Sequence, residues 1–248
     1  MNNYSKVLTK QVKYDLIIFF REPFFALPIL LLPGVFFVLY AGMYARNGMD
    51  VDTFGGYIPM YMLLISFLTV FFNIGTQYVT DREIGIIKRL IMSPIKIYNV
   101  ILTYLIRGLL ISIMGFFEMI FLAAVVFSIP LSNNMIIYFL SFCIMVGVMM
   151  LISLAIHGFF KNSRQVTPFT IIIFQYVLFA SGMLIPVSKM VLPLRILVYF
   201  NPVYHMNQIL MRVWYGKWPD IVNIAALAVV IIICGIIFKI QKQFKTDK

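Results

Sequence analysis

Acidic residues are scarce in this chain: nine Asp and Glu stand against 20 Lys and Arg, and charged residues make up only 12% of its 248 positions. Ordinary soluble domains carry about 25%. A water-facing fold is therefore excluded, and the 62% hydrophobic content points to a membrane protein. Cysteine is nearly absent. Cys143 and Cys234 sit far apart in separate apolar runs, which excludes a disulfide framework or a zinc site and leaves two buried packing residues. The two histidines, His157 and His205, are far apart with no acid nearby. Intramembrane hydrolysis needs paired aspartates, a Ser with a His, or a metal-ligand run such as H-E-x-x-H, so enzyme chemistry and a metal centre are not expected. There is also no Gly-x-x-x-x-Gly-Lys-Ser/Thr loop, because the one Gly-Lys pair, Gly216-Lys217, is followed by Trp218. A phosphate-cradling loop of that kind is thus missing.

What the chain has in quantity is long apolar runs. Windows of about twenty residues give six expected spans, Phe24 to Met43, Ile58 to Val79, Gly108 to Phe127, Met135 to Phe159, Val166 to Ile185 and Ile221 to Ile240. The first run is too long for a cleavable signal, and no small-residue cleavage pattern follows it, so it is expected to remain. The fold class is all-α, a single membrane domain over 1–248.

The cations set the orientation. Fifteen fall on one side, among them Lys10, Arg82, Lys88, Arg89, Arg107, Arg164 and Lys242, and five on the other, Arg46, Lys189, Arg195, Arg212 and Lys217. The positive-inside rule then puts both termini and the 80–96 segment in the cytoplasm. The +11 net charge is a topology signal; no basic patch with interleaved aromatics suggests a nucleic-acid partner.

Residues 1–22 read as an interfacial helix. Lys6, Lys10 and Lys13 share one face, and Leu8, Val12, Leu16 and Phe19 another, before Arg21-Glu22-Pro23 turns the chain into the bilayer. The segment Asp81 to Lys96 reads as a second cytoplasmic helix. Thr80 with Glu83 forms a capping box that would start a helix at Asp81, and Ser93-Pro94 would stop it. Ile84, Ile87 and Ile91 share its oily face, while Arg82, Gly85 and Arg89 share a charged face free for a partner.

The string Asp81-Arg82-Glu83-Ile84-Gly85, then Lys88-Arg89-Leu90, then Ser93-Pro94-Ile95, resembles the first cytoplasmic loop of type-2 ATP-binding-cassette exporter permeases. Arg21-Glu22-Pro23 is similar to that family's Arg-x-Pro before the first span. Ser181-Gly182-Met183-Leu184-Ile185-Pro186 is similar to its external exit motif, and Leu192-Pro193, Asn201-Pro202, Arg212 and Gly216 follow its last external segment. The resemblance implies that residues 80–96 couple to a separate cytoplasmic ATPase, present in two copies and carrying the ATP and Mg. It implies a second permease half, identical or a sister chain, and short external helices within 186–220. The expected setting is a bacterial plasma membrane.

The apolar walls suit a hydrophobic or amphipathic cargo such as a drug, antibiotic or lipid-like compound. Export of a lipid-linked polysaccharide or teichoic acid is an alternative within the family. An ATP-independent channel, carrier or scaffold would need more ionisable residues at mid-depth than this chain offers. Glu118 is the sole acid within an apolar run, eleven residues past Arg107 and so about 16 Å along a helix. Gln175 falls at similar depth in the fifth span. Glu118 is therefore expected either to lock spans three and five through Gln175 or to line the pathway.

Overall fold

The computed structural model describes residues 10, 13, 14, 17, 19–21, 23–46, 55–92, 97–182, 187 and 190–246. All regular structure among them is helical. The chain runs through α1 (Pro23–Arg46), α2 (Ile58–Phe67), a π-helical stretch (Leu68–Gly75), α3 (Thr76–Glu83), α4 (Ile86–Met92) and α5 (Ile97–Phe121). A π-helical end to α5 (Leu122–Val126), α6 (Met135–His157), α7 (Ser163–Ala180), α8 (Leu192–Tyr199), α9 (Pro202–Trp214) and α10 (Ile221–Thr246) complete it. Of the expected interfacial helix over 1–22, the described positions from Lys10 to Arg21 are helical, with Phe19 buried against Ala26, Ile29 and Ile111. Glu22 lies outside the described residues.

Five helices among the described residues are long and apolar enough to cross a membrane, against six expected. The one that falls short is α7. Its first turn is Ser163-Arg164-Gln165, and Gln175 interrupts its apolar run, so only its middle is strongly hydrophobic. The other expected ends also move. The second span continues unbroken to Glu83, and the third begins at Ile97, so Arg107 lies well inside a helix and not at its mouth.

The second span is the axis of the molecule. Its most apolar 18-residue window is 94% buried, whereas that of α10 is 17% buried. Every residue of α2 is buried, and Phe37, Phe116, Tyr138, Phe142 and Met206 surround it in one continuous core. Peripheral helices instead show apolar side chains outward, such as Leu31, Val35 and Leu39 on α1 and Val229, Ile232 and Ile236 on α10. That is the pattern of helices that face hydrocarbon.

The π geometry of the axial span has visible supports. Widening a helix loosens its carbonyl pairing, and hydroxyl side chains can take up the spare lone pairs. Ser153 Oγ on α6 donates to the Val70 carbonyl at 3.1 Å, and Thr76 Oγ1 donates back to the Phe72 carbonyl. At its last residue, Gly75, the span lies flat against the His157 ring; an added Cβ would stand 2.4 Å from His157 Cε1.

Candidate functional site

The expected helix start at Asp81 is not there. Thr80 Oγ1 donates to the Thr76 carbonyl at 3.0 Å, as a hydroxyl inside a running helix does. The helix ends at Glu83, and the break falls at Gly85, whose φ of +79° only glycine adopts without strain. The capping-box pattern is overridden because the axial span carries helix straight through it.

Asp81, Arg82 and Glu83 consequently point at three other helices of the same chain. Asp81 accepts a hydrogen bond from the Tyr104 hydroxyl of α5. Arg82 Nη1 donates to the Gly158 carbonyl at 2.9 Å, a cation at the C-terminal end of α6. Glu83 Oε2 accepts the Ser163 backbone N–H at 2.7 Å, an anion at the N-terminal end of α7. Asn162 shares that duty by accepting from the Arg164 N–H at 2.8 Å. From the far side Gln241 Nε2 of α10 donates to the Ala155 carbonyl at 2.9 Å. The short connection between α6 and α7 is thus held by α3 and α10 together, and the charged face assigned to a partner is half consumed inside the molecule.

The part left outward is α4. Lys88 and Arg89 are exposed, while Ile87 is buried and Leu90 packs beside the Ile74, Val100 and Tyr104 cluster. Ile84, expected on the oily face, is 57% exposed because it falls in the turn before Gly85 and not in α4. The Ile91 side chain, Ser93 and Pro94 lie outside the described residues. What remains is a basic seven-residue helix on a glycine hinge, next to a triplet that grips α5, α6 and α7.

Sequence reasoning missed a polar layer just inside this end. Arg107 is 2% exposed and donates through Nη2 to Asn73 Oδ1 at 3.0 Å and to Gln77 Oε1 at 3.1 Å. His157, fully buried, has Nδ1 2.8 Å from the Ser153 carbonyl and Nε2 3.4 Å from Thr170 Oγ1. The available signal was Asn73 and Gln77 four residues apart, hence on one helix face, inside an apolar run.

Glu118 does not meet Gln175. Its carboxylate lies over Gly34 of α1, where an added Cβ would stand 2.7 Å from Oε1. Gln175 is exposed, and α7 packs chiefly on α3, α8 and the π-helical stretch. Similar depth brought the two together on paper, but α7 does not pack closely on α5, so the expected lock between spans three and five is corrected to a close approach of α5 and α1.

At the opposite end Ser181 is buried and Gly182 has φ +80°, a left-handed residue closing α7; Pro186 lies outside the described residues. The two short helices expected within 186–220 are present, but α9 is no surface helix. It packs between α2, α6 and α10 with Met206, Ile209, Leu210 and Trp214 buried. Asn201 fixes its start, accepting from the Val203 N–H at 3.0 Å and donating to the Ala180 carbonyl at 2.9 Å. His205 Nδ1 pairs with Asn223 Oδ1 at 2.8 Å, and Trp214 lies edge-on to Tyr138 with centroids 4.9 Å apart.

Among curated proteins none matches the chain. Residues 44–239, which run from the end of α1 almost to the end of α10, match the family described as ABC-2 family transporter protein. With most of its length inside that match and a bundle of apolar spanning helices around a buried axis, this chain belongs to the ABC-2 transporter family, as a multi-pass membrane permease subunit of an ABC transporter.

Proposed function

We propose that the chain is the membrane half of an ATP-driven exporter that moves an amphipathic compound outward, with α4 as the element that receives force from a cytoplasmic ATPase. The observation that carries this is the arrangement at residues 81–92: an exposed basic helix, a glycine hinge, and three consecutive charged side chains each bonded to a different helix. A displacement of α4 reaches α5, α6 and α7 in one step, because rigid helices joined by short bonds move together. The charge asymmetry supports placing this end in the cytoplasm, with both termini there. In this reading α7 is the sixth crossing, its exposed Ile171, Ile172 and Phe179 facing lipid or a second permease half.

ATP and Mg belong to the partner ATPase, in two copies, and a second permease half completes the pathway. Lys88→Glu with Arg89→Glu should abolish co-purification of the ATPase and ATP-dependent export from proteoliposomes while the permease stays inserted. Full docking and export by that double variant would refute the assignment of α4.

A further inference from the structure

In the connection between α6 and α7, two adjacent phenylalanines take opposite directions. Phe160 turns in, its ring 4.7 Å from that of Phe169 and 6.4 Å from that of His157. Phe159 turns out and is 59% exposed, with Lys161 and Arg164 exposed beside it. Arg164 stands in the first turn of α7, where the helix dipole disfavours a cation, so it is not there to stabilise that helix. Nor does a link that only joins two spans need bracing. This one is held by Arg82 on the Gly158 carbonyl and Glu83 on the Ser163 N–H, with Gln241 on the Ala155 carbonyl just before it. Because three side chains hold it, loss of one leaves its place fixed.

The same bonds bring the connection to α4. Ile84, 57% exposed, follows Glu83, and Phe159 follows Gly158, so each stands one residue from a bonded partner at the same end of the molecule. Residues 84–92 and 158–165 together hold four cations, Lys88, Arg89, Lys161 and Arg164, all exposed, and no acid. Apolar side chains with a charged rim are the anatomy of a protein contact, and a rim of one sign selects a partner of the other. Depth argues against lipid as the cover. The apolar stretch of α10, Ile221–Gln241, is 21 residues, about 31 Å of helix and the full thickness of the hydrocarbon core. Its last residue bonds Ala155, so Phe159 lies past the hydrocarbon edge, where acyl chains do not cover a phenyl ring.

We propose that the α6–α7 connection is a second docking point for the cytoplasmic ATPase, continuous with α4, and that it meets a surface apolar opposite Phe159 and acidic around it. This rests on the reading of α4 as the ATPase contact and extends it. The two points differ in stiffness. α4 follows Gly85, with its φ of +79°, whereas the connection is fixed by α3 and α10. The ATPase therefore holds the connection as a fulcrum and swings α4 about the glycine.

The probe is the ABC-type ATPase that co-purifies with the unmodified permease, separated from it, checked for ATP hydrolysis and titrated back onto the full chain in nanodiscs of neutral lipid. Phe159→Ser should weaken binding at least fivefold, and Lys161→Glu with Arg164→Glu at least tenfold. Melting temperatures should not change, since all three side chains are exposed. A fluorescent label on Phe159→Cys should become shielded when the ATPase is added. Unchanged affinity in both connection variants would overturn the proposal. So would a label shielded by anionic-lipid nanodiscs alone and indifferent to the ATPase, which gives the surface to the membrane. If Phe159→Ser fails to fold, the charge variant decides. Lys88→Glu with Arg89→Glu separates the two readings: if it alone loses docking, only the connection is refuted, and if it docks normally while the connection variants fail, α4 is refuted and the connection stands.

Discussion

Arg82 Nη1 donates to the Gly158 carbonyl oxygen at 2.9 Å, a bond between residues 76 apart in the chain. With Glu83 on the Ser163 N–H one residue later, it makes the end of the axial span the keeper of the α6–α7 connection. The charged triplet therefore bonds within the chain, and the exposed basic surface begins only beyond Gly85.

The first prediction separates these roles. Arg82→Ala should leave ATPase co-purification intact but lower stability by about 1–2 kcal/mol, since a charged, partly buried hydrogen bond is lost, and reduce export. Arg89→Glu should do the reverse, losing docking with an unchanged melting temperature. Identical behaviour of the two variants in a pull-down and a thermal-shift assay would contradict the division.

Gly85 gives the second. A side chain at φ +79° is strained by roughly 1–2 kcal/mol, so Gly85→Val should re-aim α4 and weaken ATPase coupling. Gly85→Asn, which tolerates left-handed geometry better, should retain most of it. Transport rate per docked ATPase is the measurement, and a ranking of Val above Asn would count against a hinge.

The contact of Gly75 with the His157 ring gives the third. Gly75→Ala places a methyl where the ring atoms stand 2.4 to 2.7 Å away, and His157 is itself fully buried. Overpacking of this kind costs about 1–3 kcal/mol, more than the gain in helix propensity. The melting temperature of the purified chain should fall clearly, and the π-helical stretch should be the region whose amide exchange speeds up most.

Glu118 and Gln175 give the fourth. Because Gln175 is exposed, Gln175→Leu should change stability by less than about 0.5 kcal/mol. Gly34→Leu should push α1 from α5 and lower stability, while Glu118→Gln, equal in size, should not. If Glu118→Gln also alters cargo preference or the pH dependence of export, the acid belongs to the pathway; a stable Gly34→Leu protein would show that the α1–α5 approach is unimportant.

Much of the architecture was legible in the chain. Apolar runs announced the long helices, and the Ser181–Pro186 exit motif fell where α7 closes at a left-handed Gly182; that Asn201 caps the start of α9 was not read from the chain. The misreadings share one cause. The Thr80–Glu83 capping box, the Ile84 face and the Glu118–Gln175 pair were all inferred from spacing along one helix or depth along two. Spacing fixes which side chains share a face; it does not say which helix that face meets.

Composition and periodicity alone thus determined that this is an all-helical membrane chain with a basic end, because transfer to hydrocarbon demands apolar side chains and internally paired backbone. Tertiary structure alone decided the rest. It made the 58–83 span the buried axis, drew Arg107 to Asn73 and Gln77, spent Arg82 and Glu83 on helix ends, and sank α9 among the spans. Each of these depends on which helices become neighbours, and that is settled by packing of many residues distant in sequence, where no local pattern can record the outcome.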